Sequence, residues 1–64
     1  MTERALEKLP SSCRIHLGLL KSDYSNGYNK DDTRARISSY LTALRDTAVI
    51  TDVERRALFC YYTF

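Results

Sequence analysis

Apolar residues recur along the first third of the chain at helical spacing. Leu6, Leu9, Cys13, Leu17, Leu20 and Tyr24 follow one another at steps of three, four, four, three and four. That spacing lays them along one side of a helix running from Thr2 to about Ser22, with Thr2 as its N-cap. Pro10 falls inside the stripe. A proline lacks the amide donor and clashes with the preceding turn. The stripe keeps its phase across it, so the segment reads as a kinked helix or as two helices abutting there. In the second case Pro10 opens the second helix.

Cys13, Ile15, Leu17 and Leu19 also alternate with Arg14, His16 and Gly18, which is the period of a strand. No partner strand follows, and an isolated strand cannot satisfy its backbone. Helix is therefore the expectation for 13–19. Tyr24 to Lys30 reads as a loop, because Asn26-Gly27 accepts positive φ at low cost.

A further helix is expected from Asp31 or Asp32, either of which can cap it and suits the positive end of its dipole. Ile37, Tyr40, Leu41, Leu44 and Ala48 share its apolar face, and Asp32 and Arg36 stand four apart on the outside. It should fade near Asp46 or Thr47. Thr51-Asp52-Val53-Glu54 fits a capping box and opens a last helix, with Asp52 and Arg56 again four apart. Residues 41–54, with a helix end, an aliphatic pair, a Thr cap and an acidic first turn, are similar to the short C-terminal hairpin motif called SHOCT. The resemblance covers under a third of the chain and implies a helical hairpin. Ala48 departs from it, standing where such hairpins commonly place Gly.

The last helix differs from the others. From Ala57 to Phe64 only Thr63 is polar. Val53, Ala57, Cys60, Tyr61 and Phe64 make one face, and Leu58, Tyr62 and, at its edge, Phe59 make a second. A small bundle needs one apolar stripe of a little over 100° per helix. Either this helix is enclosed by its own chain, or one face is left for a partner.

With 64 residues, the chain holds one small domain, all-α, of three or four short helices spanning 1–64. Ten Lys and Arg against eight Asp and Glu leave +2, too mild for a strongly basic nucleic-acid binder. Cys13 and Cys60 are too few for a disulfide framework and read as two reduced thiols. The start of the chain lacks the apolar core of a signal peptide, and no stretch approaches a membrane span. A soluble, cytoplasmic protein without membrane contact is the expectation.

Chemistry is sparse. His16, the sole histidine, shares a helical face with Cys13. No orienting group or oxyanion site accompanies the pair, so no catalytic residue is assigned. Cys13, His16 and Cys60 fall short of the four ligands of structural zinc. Asp23 to Asn29 superficially suggests a calcium loop, but Gly27 is fifth from Asp23 rather than sixth, and no terminal Glu follows. Two glycines cannot make a phosphate loop. No cofactor and no metal are expected.

The expected function is non-catalytic: a small interaction protein, an inhibitor or adaptor, binding a protein partner or a second copy of itself. The contacts are expected from Leu58, Phe59, Tyr61, Tyr62 and Phe64, since interfaces are rich in Tyr, Phe and Arg. Very small chains of this kind recur among phage and mobile-element products, anti-CRISPR proteins among them, an analogy of size alone. The alternative is a helix-turn-helix-like regulator contacting nucleic acid through Arg34, Arg36, Arg45 and Arg55. Asp52 and Glu54 at the start of its second helix would face phosphates with the wrong sign.

Overall fold

Pro10 decides how the chain begins. The computed structural model describes residues 2–64, and in it helix α1 (Thr2–Lys8) stops short of the proline while α2 (Ser11–Ser25) starts just after it. Pro10 takes the N-cap of α2 with extended ψ, one place earlier than a first helical residue, and its carbonyl accepts the first bond, from the Arg14 amide at 3.1 Å. The missing amide is one that a helix start leaves unpaired in any case. Thr2 is the first helical residue of α1, so the cap position falls on residue 1, outside the described residues. Residues 13–19 lie within α2, and the strand alternative falls away.

Helix α2 runs to Ser25, three residues past the expected end, and is closed by Gly27. The Gly27 amide donates to Tyr24 O and the Tyr28 amide to Asp23 O, both at 3.0 Å. This paired return is a Schellman motif, and its pivot needs the left-handed φ of +74° that Gly27 supplies. Helix α3 (Lys30–Asp46) then starts from Asn29, whose φ is +44° and whose side chain makes no capping bond. Asp31 and Asp32 lie inside the first turn and favour the helix by charge rather than by capping.

Helix α3 ends through the same device. The Ala48 amide donates to Arg45 O at 2.9 Å and the Val49 amide to Leu44 O at 3.0 Å. The pivot is Ala48, at φ +63°. Ala48 is thus exposed and outside the helix, not on the apolar face of α3. Helix α4 (Asp52–Tyr62) opens with the full capping box. Thr51 Oγ1 accepts from the Glu54 amide at 3.2 Å, and Glu54 Oε1 accepts from the Thr51 amide at 2.8 Å.

The four helices form a bundle in which α2 and α3 pack on each other and on α4, while α1 lies chiefly on α4. The core is Ala5, Leu9, Leu17, Leu20, Ile37, Leu41, Ile50, Leu58 and Tyr62, with Leu6, Cys13, Tyr40, Leu44, Val49 and Phe59 partly buried around it. Among the described residues, no buried side-chain nitrogen or oxygen lacks a partner. The Cα radius of gyration is 10.8 Å, against about 10.7 Å for a compact chain of this length. The accessible surface is 4311 Å², close to the about 4200 Å² of an ordinary folded monomer of this mass.

Candidate interaction surface

Glu54, Leu58 and Tyr62 repeat every fourth residue and are the buried row of α4. Leu58 is fully enclosed and Tyr62 is 3% exposed. Two of the five expected contact residues are therefore core residues and cannot meet a partner. Leu58 fills the centre of the bundle, and burial pushes the Tyr62 hydroxyl above the usual phenol range, with Tyr61 adding to the effect and Arg14 opposing it. Phe59 is half-buried, with the Arg34 guanidinium 5.5 Å from its ring centroid.

The opposite side of α4 is open at Val53, Arg56, Cys60 and Tyr61. Val53 is 55% and Tyr61 42% exposed, and Cys60 is also at the surface. Val53, overlooked in the expected contact set although it lies on the first face, is thus one of the most open apolar residues of the helix. Phe64 is 98% exposed, but α4 ends at Tyr62 and Thr63 caps it, so Phe64 follows the stripe rather than forming its last turn. Tyr61 is held in place from two sides. Its ring meets Tyr62 edge-on at 5.0 Å, and the Lys21 ammonium sits 4.6 Å from its centroid. The same ammonium donates to the Tyr61 carbonyl at 2.8 Å, tying α2 to the C-terminal end of α4.

Cations surround this stripe. Arg4 and Lys8 line an open cavity of about 510 Å³ with Thr51, Val53 and Glu54. Asp52 is shared by three arginines: Arg45 Nη1 at 3.0 Å, Arg55 Nε at 3.1 Å and Arg56 Nε at 3.3 Å. Arg45, then Arg55, holds the Asp52 carboxyl below its usual range. Asp46 takes a second bond from Arg45 at 3.1 Å, so three arginines share two acids and a positive charge remains beside α4.

Each arginine of the nucleic-acid alternative is engaged within the chain. Arg36 pairs with Asp32 at 3.0 Å, Arg45 and Arg55 pair with Asp52, and Arg34 lies over Phe59. The structure brings together only Arg45 and Arg55, through that shared acid.

The cysteine and histidine chemistry is confined to α2 and α3. The His16 and Tyr40 rings lie 4.7 Å apart, tilted by 34°. The Cys13 sulfur beside the Tyr40 hydroxyl raises that phenol, and burial adds to it. Cys13 and Cys60 are both free thiols, on α2 and α4. Among the described residues no three His, Cys, Asp or Glu side chains cluster to hold a metal. Among the described residues, no helix is long and apolar enough to cross a membrane.

No family model matches the chain, and no curated protein or solved structure matches it.

Proposed function

We propose that this protein is a non-catalytic binding module, of the kind an inhibitor or adaptor needs, that lays the open side of α4 on another protein. The observation that carries this reading is the exposure of Val53, Cys60 and Tyr61 on a helix whose other side already fills the core. A large side chain forfeits roughly 1.5–3 kcal/mol when left in water, so such residues mark an interaction surface when they gather.

The charge around the stripe selects the partner. Arg4 lines the cavity beside Val53, and three arginines share Asp46 and Asp52, so positive charge remains at the edge of the stripe. Two copies would bring like charges together. A different protein, apolar at its centre and acidic at its edge, complements it. Convergent catalytic groups do not support an enzyme, since Cys13 and His16 meet a tyrosine rather than an orienting carboxylate. Of the arginines of the nucleic-acid alternative only Arg45 and Arg55 are brought together, and both on Asp52, so no specific observation favours that reading.

The test pairs sedimentation at micromolar concentration with capture from the native host, using wild type, Val53→Asp and Tyr61→Asp. A monomer that captures one protein, loses it in both variants and binds it less at higher salt supports the proposal. A dimer dissolved by Val53→Asp, or capture unchanged in both variants, overturns it.

A further inference from the structure

A second concave surface lies between α2 and α3 and shares no residue with the α4 stripe. It is an open groove of about 480 Å³ lined by His16, Leu20, Ala35, Arg36, Ser39 and Tyr40. Ala35 and Ser39 are small and one turn apart on α3, which leaves a notch against α2. The volume falls within the range of small-molecule sites, about 300–1,000 Å³.

The lining has one chemical character. Leu20 and Ala35 are apolar, and the His16 and Tyr40 rings pack on each other with centroids 4.7 Å apart, so they offer their edges and outer faces to the groove. The polar atoms come from an imidazole, a guanidinium and two hydroxyls, and no carboxylate lines the groove. Asp32 meets Arg36 at Nε, 3.0 Å away, from one turn back along α3. That contact steadies the side chain, and one carboxylate uses at most two of the five N–H donors of a guanidinium. The remaining donors suit an oxyanion, and the rings beside them suit a planar apolar group.

We propose that this groove binds a small aromatic anion, an aryl carboxylate or aryl phosphate, with the oxyanion on Arg36 and Ser39 and the ring against His16 and Tyr40. Neither half of the ligand suffices alone. The bare anion forgoes the rings, and the bare ring forgoes the guanidinium.

Amide chemical shifts of the full chain, titrated with benzoate and phenyl phosphate, test this directly. Saturable shifts at His16, Ala35, Ser39 and Tyr40 are expected, with phenol and inorganic phosphate each binding at least about tenfold more weakly. Arg36→Gln, at an exposed position, should keep the dispersed spectrum and lower affinity about tenfold or more, the loss of a charged hydrogen bond. Arg56→Gln, outside the groove, should leave affinity unchanged. Shifts that do not saturate, an Arg56→Gln loss equal to that of Arg36→Gln, or inorganic phosphate binding as well as phenyl phosphate would overturn the proposal.

Discussion

The Lys8 ammonium reaches the Glu54 carboxylate at 2.9 Å, across 46 residues of sequence. The same carboxylate accepts from the Thr51 amide at 2.8 Å. One acidic side chain thus closes the start of α4 and ties α1 to it. Lys8 first, then the Thr51 amide, holds Glu54 below the usual carboxylate range. A carboxyl depressed in the folded state stabilises fully above its unfolded pKa, and that stability is lost as pH falls through the folded value. Asp52 is depressed in the same direction by its arginines. The expected outcome is a flat urea midpoint above about pH 5 that drops below about pH 4. Glu54→Gln, which keeps a capping amide but loses the charge, should be less stable near neutrality and show a shallower acid limb. Denaturation at a series of pH values checks both.

The capping hydroxyl gives a separate measure. Thr51→Ala removes the acceptor of the Glu54 amide and should cost about 1 kcal/mol, visible as a lower urea midpoint at unchanged slope.

The two glycines should respond with opposite sign to one substitution. Gly18 is within α2 and an added Cβ would meet nothing within 4 Å. Gly18→Ala should stabilise by about 1 kcal/mol, the difference in helix propensity. The space around Gly27 is equally open, but its φ is +74°. Gly27→Ala should destabilise by about 1 kcal/mol, since the left-handed conformation alone opposes it. Ala48 is the mirror case, at φ +63° in the same kind of helix ending. Ala48→Gly should therefore raise stability, by about 0.5–1 kcal/mol after the added freedom of the unfolded chain is counted. Thermal and urea unfolding of the three variants decide the matter.

Leu58 and Tyr61 are three residues apart on α4 and should part company when truncated. Leu58→Ala opens a cavity at a fully buried position and should cost about 2–5 kcal/mol, a large share of a small domain's stability. Tyr61→Ser, at a position 42% exposed, should leave the fold intact with a much smaller loss. Near-equal unfolding midpoints for the two would contradict the division of α4 into an inner and an outer side.

Much of this architecture was legible in the chain. The helix start at Thr51, the turn at Gly27 and the apolar rows through Leu17, Leu20, Ile37 and Leu41 follow from local rules that act within one turn, whereas at Pro10 those rules left a kinked helix and two helices equally open. The orientation of α4 was not legible, because both of its sides are apolar and periodicity cannot rank them. The residue that settles it is Glu54. An acid in the inward row looks wrong until Lys8 and the Thr51 amide are seen to satisfy it, and both contacts depend on how the chain folds back. Ile15 and Leu19 raised the strand alternative for a related reason. They are 66% and 64% exposed on the outer side of α2, so their alternation with polar residues imitates a strand. The donor-lined groove beside Tyr40 leaves no trace in either helix alone, since it exists only where α2 meets α3.

The break at Pro10 has a consequence for how α1 holds together. Its seven residues are far below the roughly 12–15 at which an isolated helix persists in water. Segment 2–8 is therefore coiled only while Ala5, Leu9 and Lys8 rest on their seats. Undocking and uncoiling become one event, so the amides of this first segment should exchange with solvent together and ahead of those in the rest of the bundle.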